Sequence, residues 1–307
     1  MSDKQAIKVG RRTVELSNPG KVLYPDDGIT KGDLVDYYRR AAERMLPHLR
    51  GRPVAMERYP DGIDAERIFQ KDVPAHFPDW IDRAKISKEG GTLQQVVCGE
   101  AAALVYLANQ ACITPHVFLS RVDRLDHPDQ LIFDLDPAGD DFGEARAAAL
   151  WLRSLLEELG LPSFAKTTGG KGIHVTVPLD RRADFDTVRG FARDVADLLA
   201  RRQPHRLTTE QRKDRRKGRL YLDAMRNSYA QTAVPPFAVR ARPGATVATP
   251  LAWEQVEDRS LAPSRFTIAT VLEHVEPDGD PWKDLPRRRR SLGPARRRLD
   301  ALVEQGG

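Results

Sequence analysis

Asp134 and Asp136 stand two residues apart in the run QLIFDLD (130–136), which is otherwise mostly apolar. The run reads as a short strand, and a strand's side-chain period of two sends both carboxylates to one face. Two anions held that close repel, so a shared proton or a cation has to compensate. A pair of divalent ions is the usual compensation where phosphates are exchanged, and manganese or magnesium suits all-oxygen ligands. The plainer alternative is a strand end, because Asp136-Pro137 and Gly139-Asp140-Asp141 are good turn formers. A third acid, Asp223, interrupts a second strand-like run, GRLYLDAM. A single buried acid suits a salt bridge to a neighbouring arginine. Three acids on two apolar strands suit a metal site.

A cationic, glycine-rich loop follows the first acidic strand in the segment Lys166-Thr-Thr-Gly-Gly-Lys-Gly-Ile-His174. Glycines let a backbone approach a phosphate closely, and successive N–H groups can form an anion nest. Lys171 adds a point charge, Thr168 a hydroxyl, and His174 a hydrogen-bonding ring at the start of the next strand. The segment is not a Walker loop, because GxxxxGK[ST] is absent and the chain continues as a strand. An ordinary hairpin turn with a surface lysine is the competing reading.

These groups need a scaffold, and 307 residues suffice for one large domain or two smaller ones sharing a core. The composition, 40% hydrophobic and 30% charged, is that of a globular chain. It holds no apolar run long enough to span a membrane, and its first residues lack a secretory signal. Cys98 and Cys112 are the only cysteines and sit among apolar neighbours, so neither a disulfide framework nor a cysteine zinc site is expected. A cytoplasmic protein is the expectation. The net charge is +5, and six of the nine residues in Gln211–Arg219 are basic. Arg287–Arg290 and Arg296–Arg298 form a second basic cluster. Such clusters suit a polyanion, or else a solvated face.

Helix and strand signals alternate along the chain. Thr30 and Asp33 cap a helix running through LVDYYRRAAERML towards 48–51. Residues 100–111 read as a buried helix, 143–159 as an amphipathic helix closed by Gly160, and 185–202 as another. SFAKTT and GIHVTVPL are strands around the glycine loop. Pro277–Pro294, rich in Pro, Gly and Arg, reads as a linker or tail. The pattern gives a mixed α/β fold.

DLD, TGGKGIH and YLDAMRN, in that order, resemble the three motifs of the archaeo-eukaryotic primase superfamily. The likeness is to the polymerase domain of bacterial DNA ligase D, and it runs from about Leu16 to about Trp282. LSNPGKVLYPDDGITKGDLVDYY, RPVAMERYPDGI, FQKDVP, HPDQLIFDLDP, KTTGGKGIHVTVPL and FAVRARPGATVATPLAWEQV carry it together. The resemblance implies an α/β (α+β) primase-polymerase fold with an RRM-like catalytic sheet. That places a primase-polymerase domain over 1–283, with an accessory N-terminal α/β part near 16–92, a catalytic part near 93–283, and a basic linker or tail at 284–307.

Roles follow by the same resemblance. Asp134, Asp136 and Asp223 resemble the ligands of two Mn2+ or Mg2+ ions. His116, Thr168, Lys171, His174, Arg216 and Arg240 resemble the nucleotide pocket. Asn18, Lys21 and Lys31 fall where a downstream 5′-phosphate is recognised. Arg58, Phe69 and Lys71 fall where DNA is held and a base stacks beside a gap. Glu57 and Ile68 depart from relatives that carry a lysine and an aromatic there. The implied activity is addition of ribonucleotides, and deoxynucleotides, to primer 3′ ends and filling of short gaps in double-strand break repair by non-homologous end joining. Nucleoside triphosphates and DNA with gaps or 3′ overhangs would be its substrates, Ku and a DNA ligase its partners, and the bacterial nucleoid its place. Excision-repair gap filling, a metal-dependent nuclease, and a non-catalytic DNA-end-binding module are the alternatives.

Overall fold

A computed structural model describes residues 4–275 and 279–305. The chain divides into two compact units, one made of Met1–Asp123, Thr232–Ala248 and Phe266–Glu276, the other of Arg124–Gln231, Thr249–Arg265 and Pro277–Gly307.

The first unit opens with a hairpin of β1 (Lys4–Val9) and β2 (Arg12–Ser17), then a short one of β3 (Val22–Tyr24) and β4 (Ile29–Thr30). The second hairpin runs directly into α1 (Lys31–Leu49), whose start carries the expected capping box between Thr30 and Asp33. Leu34, Tyr38, Ala41, Met45 and Leu49, spaced by three and four, are buried along one stripe of α1. Its two adjacent tyrosines are buried as well, and each finds a backbone acceptor: Tyr37 donates to Phe237 O at 2.9 Å and Tyr38 to Ile113 O at 2.6 Å.

The sheet of this unit contains β5 (Pro53–Arg58), β6 (Ile68–Gln70), β7 (Arg83–Lys88), β8 (Gly91–Val97) and β9 (Cys112–Phe118). Its order is Thr232–Ala233, β9, β5, β8, β7, with β6 pairing the end of β5. The helix α2 (Ala101–Asn109) joins β8 to β9. Because β9 pairs with β5, this unit extends to Asp123 instead of ending near residue 92.

The second unit follows β10 (Gln130–Asp136), α3 (Phe142–Glu158), β11 (Phe164–Thr167), β12 (Ile173–Pro178), α4 (Phe185–Arg202), β13 (Leu207–Thr208) and β14 (Leu220–Asp223). Its sheet runs β13, β14, β10, β12, β11, then Pro250–Leu251. The four central strands, β14-β10-β12-β11, together with α3 and α4, give the split βαββαβ plan of an RRM-like sheet. Leu131, Phe133 and Leu135 are buried on the face that α3 and α4 cover. Asp134 and Asp136 therefore project from the other face. Gly160, in the left-handed region at φ +74°, ends α3 as its position suggested.

The basic segment 284–307, read as a linker or tail, instead contains a helix, Leu292–Glu304. Ser291 caps it, and Pro294 falls in its first turn, where a missing N–H costs nothing. Leu292, Ala295 and Leu299 are buried on one face. Arg290 pairs with the end of β12, donating its N–H to Pro178 O and accepting from Asp180 N. Both cysteines are buried and free. Among the described residues no helix is long and apolar enough to cross a membrane.

Candidate active site

Strand pairing in the second unit brings three segments distant in sequence to one line. Asp223 of β14 is the register partner of Asp134 of β10, Asp134 partners His174 of β12, and His174 partners Lys166 of β11. Directly opposed residues in antiparallel strands share a face with their Cβ atoms about 4.5–5.5 Å apart. Asp136, two residues along β10, lies on the same face and partners Tyr221. The row of charged and polar side chains is thus written by register.

Asp134 is nearly buried and accepts from Arg226 Nη2 at 2.6 Å. His174 Nε2 lies 3.2 Å from its other oxygen, Oδ1, without a donor aligned to that oxygen. Burial opposes ionisation of Asp134, but His174 and the Arg226 guanidinium outweigh it and hold the carboxyl below the usual carboxylate range. Burial and the nearby Lys166 push His174 down to about 4, so its ring is neutral at pH 7. Asp223 accepts the Met225 N–H at 2.8 Å, while Asp136 is exposed. Among the described residues no three acid, histidine or cysteine side chains already form a metal-binding cluster. The donor chemistry nonetheless fits a hard divalent cation: three carboxylates on one face, one with a buried, unsatisfied oxygen.

The glycine loop closes against this row. Thr168 N–H donates to Gly172 O at 3.0 Å, and the Gly170 and Gly172 amides both point at Thr168 Oγ1, at 3.2 and 3.3 Å. Gly169 sits in the left-handed region at φ +66°. Gly172 is pressed onto the end of β10: a Cβ there would meet Asp136 Oδ1 at 2.2 Å and Leu135 O at 2.7 Å. Lys171 reaches over to Gly139 O at 3.1 Å. Arg216 donates to Glu210 O and Gln211 O, and its guanidinium lies 4.0 Å from the ring of Tyr221, the partner of Asp136. Thr168, Lys171, His174 and Arg216 therefore gather with the three aspartates.

His116 and Arg240 belong to the first unit. There His116 Nε2 donates to Glu57 Oε2 at 2.8 Å, and the charge of Arg240 acts on the same carboxylate. Tyr59 donates to Glu57 Oε1 at 3.1 Å, and Phe69 meets His116 edge-on with ring centroids 5.3 Å apart. Arg58 donates to Gln70 and to Gln110 O, while Phe69 and Lys71 are exposed. The residues expected at a 5′-phosphate also meet. Asn18, at φ +49°, and Lys21 form a turn, and Lys31 N–H donates to Lys21 O at 2.8 Å. Lys21 pairs with Asp61 at 2.6 Å, and the buried Lys31 donates to Ser17 Oγ at 3.2 Å. Burial, with help from Lys21, lowers the Lys31 ammonium.

Sequence alone assigns no role to three participants: Glu57 as the partner of His116, Arg226 as the partner of Asp134, and Lys166 at the end of the row. The signal for each was a charged residue inside or just after an apolar run.

Glu57 carries a pH prediction. Burial pushes its carboxyl up, but His116 and Arg240 outweigh burial and hold it at about 2. A folded pKa below the unfolded one means stability that is present above about pH 4.5 and lost as pH falls towards 2. Glu57→Gln is expected to remove on the order of 3 kcal/mol at pH 7 and to flatten the acid limb of stability. Denaturant unfolding at stepped pH measures both; an unchanged acid limb refutes the assignment.

Comparison with known proteins places the chain. Residues 30–282 match the family model described as LigD, primase-polymerase domain. Multifunctional non-homologous end joining protein LigD of Mycolicibacterium smegmatis is 34% identical over 270 residues, covering 87% of this chain and 35% of that protein. Bifunctional non-homologous end joining protein LigD of Bacillus subtilis is 32% identical over 294 residues, covering 95% of this chain and 46% of that protein. The chain thus spans between a third and a half of these relatives. The solved polymerase domain from Mycobacterium tuberculosis ligase D in complex with DNA superposes with a TM-score of 0.85 at 33% identity, covering 90% of this chain and 99% of that one. With its RRM-like sheet and its acids in register, the chain belongs to the LigD primase-polymerase domain family, a family of nucleotidyltransferases.

Proposed function

We propose that this chain is a metal-dependent polymerase that adds ribonucleotides, and deoxynucleotides, to primer 3′ ends and fills short gaps in double-strand break repair by non-homologous end joining. The observation that carries the reading is the pairing of Asp223 with Asp134 across β14 and β10, with Asp136 on the same face. Asp134, Asp136 and Asp223 would hold two divalent ions, manganese or magnesium. Such ions, when bound, make a primer 3′-hydroxyl more acidic and offset the charge of a triphosphate.

The chain's own groups supply the rest. The Thr168 hydroxyl and the Lys171 ammonium offer donors to phosphate oxygens, and the Gly170 and Gly172 amides, which donate to Thr168 Oγ1, hold that hydroxyl in place. His174, neutral at pH 7, offers a hydrogen bond there without adding a competing charge. Arg216, stacked on Tyr221, presents a fixed guanidinium to a triphosphate. His116 and Arg240, in the first unit, are assigned to nucleotide sugar and phosphates. Asn18, Lys21 and Lys31, at the capped start of α1, take a downstream 5′-phosphate; helix N-termini and lysines both favour anions. Arg58, Phe69 and Lys71 hold DNA beside the gap, Phe69 by stacking. Ku and a DNA ligase act on the same ends, in the bacterial cytoplasm at the nucleoid.

The test is a labelled primer on a gapped, 5′-phosphorylated duplex, incubated with Mn2+ and UTP or dTTP. Primer growth is expected, faster with UTP. Shortening identifies a nuclease, and unchanged length with a gel shift identifies an end-binding module; either outcome sinks the proposal.

A further inference from the structure

Arg226 lies three residues beyond Asp223, in the single 3-10 turn Met225–Asn227. The turn is fastened at both sides. Buried Asn227 accepts the Ile132 N–H and donates to Ile132 O, each at 2.8 Å, which binds the turn to β10. Met225 N–H donates to Asp223, which binds it to β14. The guanidinium so delivered contacts Asp134 Oδ2 at 2.6 Å and is part-buried. Burial would lower its pKa, but the charges of Asp134, Asp223 and Asp136 outweigh burial and raise it, so the group feels all three acids.

Without a cation among them, three carboxylates on one sheet face repel and splay. A guanidinium on a turn anchored through both neighbouring residues, Met225 and Asn227, cancels part of that repulsion at the cost of opposing any further positive charge. We propose that Arg226 is a positioning residue, a resident counter-ion that keeps the three aspartates assembled in the ion-free protein and weakens divalent-cation binding by its own charge. This rests on the proposed metal site. It predicts opposite effects of one substitution: a less stable ion-free fold and a tighter metal complex. A purely structural arginine would give the first effect alone.

The experiment uses the full chain with Mn2+ alone. Arg226→Gln is expected to melt several degrees lower in EDTA, yet to bind Mn2+ about tenfold more tightly by titration calorimetry, as removal of one nearby unit charge implies. Its Mn2+-induced rise in melting temperature should exceed that of the wild type. Arg226→Lys keeps the charge and loses the planar fork, so its Mn2+ affinity should stay within about threefold of wild type. Equal or weaker Mn2+ binding by Arg226→Gln overturns the inference, and so does a tenfold change in Arg226→Lys, which would show that shape and not charge sets affinity. If Arg226→Gln does not fold, the neutral Arg226→Met takes its place in the same titration, with the same outcomes expected and overturning. Failure of the wild type to take up Mn2+ removes the metal site itself, and the inference with it; wild-type uptake matched by the glutamine variant removes the inference alone.

Discussion

Replacing Asp134 and Asp136 together with alanine is expected to lower nucleotide addition by about 10³-fold or more, roughly 4 kcal/mol of transition-state stabilisation. Both carboxylates leave the same sheet face, and the remaining Asp223 cannot hold two ions alone. The residues assigned to DNA, Asn18, Lys21, Lys31, Arg58, Phe69 and Lys71, lie in the first unit and are untouched, so affinity for a gapped duplex should change little. Alanine at 134 also removes the 2.6 Å contact of the part-buried Arg226, and a buried charge that loses a paired carboxylate destabilises a fold. Asparagine at both positions is the control, because it keeps the volume and one oxygen at each site. Single-turnover primer extension with melting curves for both pairs separates chemistry from folding. Extension at near wild-type rate by a folded double variant would disprove the metal-site assignment.

Gly172→Ala is the smallest change expected to have a comparable effect. One methyl group would meet Asp136 Oδ1 at 2.2 Å and Leu135 O at 2.7 Å. The carboxylate can swing away, but the carbonyl belongs to a paired strand and cannot. Either the loop lifts from β10 or β10 bends. Lifting breaks the Thr168 N–H to Gly172 O closure and moves the Gly170 and Gly172 amides that hold Thr168 Oγ1, the hydroxyl assigned to phosphates. Overpacking of this kind costs about 1–3 kcal/mol in stability, and displacement of a phosphate cradle by about 1 Å lowers the rate about 10²-fold. Extension assays at saturating UTP, with unfolding curves, read the two effects. A variant as active and as stable as wild type would mean that the loop does not press on the strand.

Much of this centre is legible in the sequence because it depends on local periodicity. The two-residue spacing of Asp134 and Asp136 within an apolar run fixes their common face whatever the strand pairs with. The helices at 142–158 and 185–202 follow from their apolar stripes and caps. Partners set by long-range pairing leave no such trace. The bond between His116 and Glu57 spans 59 residues, and Arg226 meets Asp134 across 92. The returns of Thr232–Ala248 and Phe266–Glu276 to the first unit are equally invisible locally. The C-terminal helix was hidden for another reason: Pro294 looks like a breaker, and only its place in the first turn makes it harmless.

The line Lys166–His174–Asp134–Asp223 crosses four strands, and each member owes its place to backbone pairing. Inserting or deleting a single residue in the middle of β10 would reverse the facing of every side chain beyond it, sending Asp134 and Asp136 towards the helices while both acids stay in the chain. Such an indel should be as disabling as loss of an acid, although it removes no functional group. The active centre therefore matures only when the last of the four strands docks, and a half-formed sheet has no partial activity to offer.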